Sequence, residues 1–265
     1  MMKIMYLGDV MGGVGLSLVE QVLPKIRKEQ KIDLVIAQAE NVTDGRGISV
    51  SDYRRLLAAG VDFCSGGNWT LHLEEIVPFL EDPSEPIIRP LNYPEDTPGL
   101  GYKYLNSAAG RVLVVSLLGQ VVGRDAEKPT DNPLRAIDRL LAEQSNESRV
   151  ATIVNFHGDY SSEKVVIGHY LDGRVSAVIG DHWHVPTADA RILTGGAGHI
   201  TDVGMCGILD SSLGVTYSSV IPRWRDGVKT RNSLETEGPR QFNFVAITVR
   251  DDGLATSIQH FRRLF

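Results

Sequence analysis

Short apolar runs alternate with stretches of helical spacing along most of the chain, and polar residues close nearly every run. Lys3–Leu7, Asp33–Ala37, Val61–Cys64, Val112–Leu118, Val150–Val154 and Val175–Ile179 predict strands. Between the first two, Leu16, Val19, Leu23 and Ile26 recur at helical spacing. Ser51–Ala59 predicts a helix with Gly60 as its cap, and Leu71–Leu80 predicts another. Pro86–Ile88 reads as a short extended piece. Asn132-Pro133 is a helix start, because Asn caps and Pro suits the first turn; Leu134, Ile137, Leu140 and Leu141 then share one face. A further helix is expected near Ser162–Tyr170, and the last stretch reads as alternating strands, notably Asn243–Val249 and Ala255–Gln259. No repeat and no Pro/Ser linker divides this pattern, so the expectation is one domain over residues 1–265, a layered α/β sandwich with a mixed sheet.

Composition narrows the picture. Hydrophobic residues make up 42% of 265, enough for a core that needs no staple. The net charge of -6 and the absence of a basic block argue against a long nucleic-acid groove, though not against a small anion whose charge is met by metal ions. Two isolated cysteines, Cys64 and Cys206, suit a reducing compartment. No long apolar leader and no apolar run of membrane-spanning length occurs, so a cytoplasmic protein without a membrane segment is expected.

The polar residues that close the runs carry the chemistry. Gly8-Asp9, Glu40-Asn41, Gly67-Asn68, Asn155-Phe156-His157 and Gly180-Asp181-His182-Trp183-His184 each follow an apolar run. Taken singly, each has an ordinary use as a cap, a turn or a hydrogen-bonded histidine. Two imidazoles at i, i+2 after a strand can approach one centre, however, and imidazole with carboxylate suits first-row ions better than Ca or Mg. Asp9, Glu40, Asn41, Asn68, His157, His182 and His184 therefore read as a metal site at one sheet edge, with room for two ions bridged by Glu40. Gly12-Gly13-Val14-Gly15 lacks dinucleotide spacing and reads as a place where the chain passes close to the site.

This series of strand ends resembles the calcineurin-like metallophosphoesterase superfamily. The stretch VIGDHWHVPTADARILTGGAGHITDVGMCG over 178–207, with IIRPLNY over 87–93, Asp131-Asn132-Pro133 and Ser162-Glu163-Lys164, is similar to its bacterial YmdB-like branch over nearly the whole chain. The resemblance implies a four-layer α/β/β/α sandwich with mixed sheets and metals at the C-terminal sheet edge. It implies that Asp9 and His184 bind one ion, that Asn68, His157 and His182 bind the other, and that Glu40 bridges them with Asn41 close by. It further implies two first-row ions, iron or manganese with zinc as a third option. The implied activity is hydrolysis of phosphodiesters such as 2′,3′-cyclic nucleotides by a metal-bound hydroxide. The implied assembly is a homo-oligomer, dimer or tetramer.

Departures from the family pattern cluster at the same place. Trp69 stands where Gly-Asn-His is usual, and an indole cannot act as a general acid. Either His72 substitutes for it, or the substrate needs no acid, or the chain binds a nucleotide with little turnover. Asn155 stands where Asp is usual in Asp-Phe-His, and Asp181 and Trp183 stand where small hydroxyl residues are usual. Trp69 and Trp183 could stack a base or pack structurally. His199, in a glycine-rich segment expected to be a flexible loop, is a further substrate-binding candidate. A phosphomonoesterase would need a cation for a dianionic phosphate, for which Arg46, Arg89 and Arg191 are the candidates.

Overall fold

In the computed structural model, residues 1–120, 122 and 130–265 are described. One sheet runs in the order β2 (Asp9–Val10), β11 (Met205–Ile208), β12 (Arg240–Val249), β1 (Met2–Leu7), β3 (Leu34–Gln38), β4 (Phe63–Ser65), with β13 (Ala255–Leu264) also paired to β12. The second runs β5 (Tyr102–Ser107), β6 (Gly110–Leu118), β7 (Ala151–His157), β8 (Ala177–Asp181), β10 (Gly198–Ile200), β9 (Arg191–Ile192). β1, β3 and β4 are mutually parallel, as are β6, β7, β8 and β10.

Strand alternation builds the layers. In β1, Ile4 and Tyr6 enter the core between the sheets, where they meet Val114, Ile153 and Ile179; Met5 and Leu7 point the other way. That outer face packs on α1 (Gly12–Gln30) and α2 (Val50–Ala58) through Leu16, Val19, Leu23 and Leu56, and on α3 (Val77–Glu81) through Leu80. The second sheet turns Leu113, Val154, Phe156 and Val178 towards α4 (Pro133–Glu143) and α5 (Ser161–Tyr170). The result is the expected α/β/β/α sandwich with two mixed sheets. Because both faces of its central strands are covered, they read as continuous apolar runs.

Local chemistry sets several boundaries. Asn132 Oδ1 accepts from the N–H groups of Leu134 and Arg135, so α4 starts where Asn-Pro predicts. Gly15 lies in the first turn of α1, where an added Cβ would stand 2.3 Å from the Cys206 carbonyl oxygen of β11. The glycine cluster thus lets α1 press against the sheet instead of forming a phosphate loop. Residues 71–80 do not form one helix: Leu71–Leu73 lie in a turn, a short 3-10 turn covers Glu74–Ile76, and Pro78 sits in the first turn of α3. Pro86–Ile88 contributes only an isolated bridge, between Ile87 and Cys64. The expected run of strands at the end is interrupted by α6 (Tyr217–Asp226); only Val220 of that helix is buried, so it shows no apolar stripe. His199 is not in a flexible loop. It lies on β10, 1% exposed, donates Nδ1–H to the Val178 carbonyl and packs beneath Gly168 of α5.

Candidate metal centre

Parallel strands deliver their C-terminal ends to one edge, where open α/β sheets place ligands. β1 leads into Asp9, β3 into Glu40 and Asn41, and β4 into Asn68. β7 ends on His157, and β8 leads into His182 and His184. Gly67 makes this convergence possible: a Cβ there would lie 2.5 Å from His157 Cδ2 and 2.6 Å from Glu40 Oε2. His182 and His184 adopt φ of 96° and 61°, left-handed values that strain a residue with a side chain and recur at functional sites.

The side chains meet closely. His157 Nε2 lies 3.0 Å from Asn68 Oδ1 and 3.0 Å from Glu40 Oε1, and its ring centre is 4.4 Å from that of His182. On its other side, Nδ1 is 2.7 Å from Asp181 Oδ1. Asp9 Oδ2 accepts the His182 backbone N–H at 3.3 Å, and Asp9 Oδ1 is 3.7 Å from His184 Nε2. His184 Nδ1 donates to the Leu213 carbonyl, which leaves Nε2 a free lone pair. Glu40 is fixed at Oε2, which accepts the Trp69 backbone N–H at 2.8 Å.

Three oxygens at this edge, Asp9 Oδ1, Glu40 Oε1 and Asn41 Oδ1, are buried without a hydrogen-bond partner. The Glu40–His157 approach is short but lacks hydrogen-bond alignment. Leaving buried carboxylate oxygens unpaired is costly unless a cation completes the group. Charge tells the same story. Burial, then the neighbouring Asp181 carboxylate, pushes the Asp9 carboxyl well above its usual range. Burial alone would lower His157, but Glu40 and Asp181 outweigh it and raise it well above an ordinary histidine. Burial and the nearby His182 push His184 down to about 4. Glu40, His157 and His182 can each offer an atom within 4.8 Å of the others, and so can Asp9, His157 and Asp181. Carboxylate, amide oxygen and imidazole together fit one or more first-row divalent ions.

Other candidates lie around this cluster or outside it. Trp69 is half-buried, with the Arg46 guanidinium 4.6 Å from its ring centre and His72 edge-on at 5.5 Å. His72 is exposed and borders a groove of about 330 Å³ with Arg46, Leu73 and Arg231, so its contact is the indole and not the ligand cluster. Trp183 has Lys164 Nζ 4.0 Å from its ring centre and donates its indole N–H to the Asp159 carbonyl. Each tryptophan therefore has a contact of its own, and the two do not pack as a pair. Arg89 spends its guanidinium on the carbonyls of Pro90, Leu91, Thr97 and Pro98, and Arg191 approaches His169, which leaves Arg46 as the one proposed cation beside the site.

A family model described as YmdB-like protein matches residues 5–261. The chain belongs to the YmdB-like family. A Bacillus subtilis relative named 2′,3′-cyclic-nucleotide 2′-phosphodiesterase is 36% identical over 250 residues, covering 94% of this chain and 92% of that protein. A Thermus thermophilus crystal structure of a hypothetical protein superposes with a TM-score of 0.90 at 38% identity, covering 99% of each chain. A structure titled as a novel phosphatase from Mycoplasma pneumoniae also gives 0.90, at 28% identity, covering 99% of this chain and 93% of the other. A 5′-nucleotidase precursor from Thermus thermophilus shares the fold at a TM-score of 0.61 and 11% identity, covering 100% of this chain and 54% of its own.

Several family motifs turn out to be braces. Asn92 of IIRPLNY accepts from Leu118 N–H and donates to the Leu118 and Asp131 carbonyls. Lys164 is buried, pairs with Asp202 at 2.7 Å and donates to the Asp181 carbonyl; Asp202 in turn accepts the Trp183 N–H. Asp159, which lies 3.0 Å from His182 Nε2, was not among the candidates, though its position two residues after His157 was a usable signal.

Proposed function

We propose that this chain is a metal-dependent phosphodiesterase acting on small diesters such as 2′,3′-cyclic nucleotides. Two first-row ions, iron or manganese with zinc as a third option, would be held by Asp9, Glu40, Asn68, His157, His182 and His184, with Asn41 close by. The observation that carries the reading is the convergence, at the strand ends, of imidazoles with three buried oxygens that lack a hydrogen bond. When bound, such ions lend positive charge to a phosphodiester and activate water. The chain's own groups do the positioning. The Trp69 N–H orients Glu40, the Leu213 carbonyl orients His184, and Arg46 and Arg231 put cationic charge along the adjoining groove, where an anionic substrate would approach.

Trp69 favours a second reading, in which the chain retains metal and binds a nucleotide with weak turnover. Its indole stands where the family pattern has the acid, contacts Arg46 and His72, and cannot itself give a proton to the leaving oxygen. Bis-p-nitrophenyl phosphate and 2′,3′-cyclic AMP separate the two readings, because p-nitrophenolate leaves without an acid. The enzyme reading expects Mn-dependent turnover of both. It also expects Trp69→His to accelerate the cyclic nucleotide by about 10²-fold or more while leaving the activated ester little changed. Turnover of neither ester by Mn-loaded parent would favour the binding reading.

A further inference from the structure

Asp181 is wholly buried, and four groups converge on its carboxylate. Oδ1 accepts from His157 Nδ1 at 2.7 Å. Oδ2 accepts from Tyr6 Oη at 2.8 Å, Gln38 Nε2 at 3.0 Å and Asn155 Nδ2 at 2.6 Å. A carboxylate only accepts, so Nδ1 of His157 carries a hydrogen towards Asp181, and Nε2 is the nitrogen that faces Glu40 and Asn68. The backbone is fixed at the same point, since Lys164 Nζ donates to the Asp181 carbonyl at 2.6 Å.

The donors are themselves anchored. Tyr6 Oη and Ser65 Oγ are 2.7 Å apart, Gln38 Oε1 accepts the Glu40 N–H at 3.3 Å, and Asn155 Oδ1 accepts from Ser116 Oγ at 3.1 Å. One carboxylate thus ties together strand ends from both sheets. The β7–β8 register pairs Asp181 with His157, and Asn155 lies on the same face two residues earlier. Acids at both 155 and 181 would place two buried negative charges within hydrogen-bond distance, whereas an amide and a carboxylate satisfy each other.

We infer that Asp181 is the positioning residue of the metal centre, orienting the His157 ring and fixing which of its nitrogens faces the ion. This rests on the metal centre proposed above. In this chain the acid that backs the histidine is supplied from the neighbouring strand, and Asn155, on the histidine's own strand, serves as its amide partner.

The test is calorimetric titration with Mn beside thermal unfolding, for the parent, Asp181→Asn and Asn155→Asp/Asp181→Asn. The single variant turns an amide onto three donors, so it should lose both thermal stability and Mn affinity, the latter by about 10–100-fold. The double variant exchanges amide and carboxylate. It should regain a melting temperature close to the parent's while Mn binding stays about tenfold weaker, because His157 now faces a neutral acceptor. Parent-like affinity in Asp181→Asn would overturn the inference. So would full recovery of affinity in the double variant, which would make Asp181 a structural node only. A parent that binds no Mn would remove the metal centre itself, and the inference with it.

Discussion

His157 stands between two carboxylates, and its protonation is the residue-scale key to the site. Burial opposes a charge there, but Glu40 and Asp181 outweigh it, so the ion-free ring holds a proton well above the ordinary histidine range. An ion at Nε2 must expel that proton, and Mn affinity should fall by about tenfold per pH unit below the raised value. Titration in two buffers of different ionisation enthalpy should report net proton release when Mn binds. No release would contradict Nε2 as a ligand atom. His184 should contribute none, since burial already holds it at about 4. At this scale the sequence was informative about residue type and silent about register. Asp9, Glu40, Asn68, His157, His182 and His184 stood out as candidates because each follows an apolar run. The bond from Asp181 to His157 could not, because it depends on how β7 and β8 align. His199 misled because its glycine-rich surroundings signal a loop, while the ring is buried under α5.

Elements with both faces covered were legible, and those set by one local contact were not. β1, β3, β6, β7 and β8 lie close to their apolar runs because two cores demand apolar residues on alternate sides. α4 begins at its Asn-Pro signal. The single helix expected over 71–80 is instead a turn, a 3-10 turn and α3, and the sequence sign of that break was Pro78. α6 escaped because it buries only Val220, leaving no stripe to read. The glycines before α1 show how one contact decides an element's use. Gly15→Ala improves helix propensity by up to about 1 kcal/mol, yet its Cβ would stand 2.3 Å from the Cys206 carbonyl oxygen. The clash should win, with a net loss of about 1–3 kcal/mol in urea unfolding. Unchanged or higher stability would show that α1 can move away from β11 without cost.

For the whole molecule, two sheets bring separate strand ends to one edge, so residues from position 9 to position 184 share a site that no short segment could form. The four-layer expectation came from the family resemblance and the core packing bears it out; apolar patterning alone reached only a layered α/β sandwich. Among the described residues, no helix is long and apolar enough to cross a membrane. The architecture thus commits the chain to one electrostatic requirement, positive charge among buried carboxylates, and the proposed activity follows from meeting it. The most direct test is hydrolysis of 2′,3′-cyclic AMP by Mn-loaded protein, followed beside the EDTA-treated protein and His157→Ala. The account predicts turnover that needs Mn and falls by about 10²-fold or more in His157→Ala. Absence of turnover in a parent with full Mn occupancy, or turnover indifferent to EDTA, would contradict it.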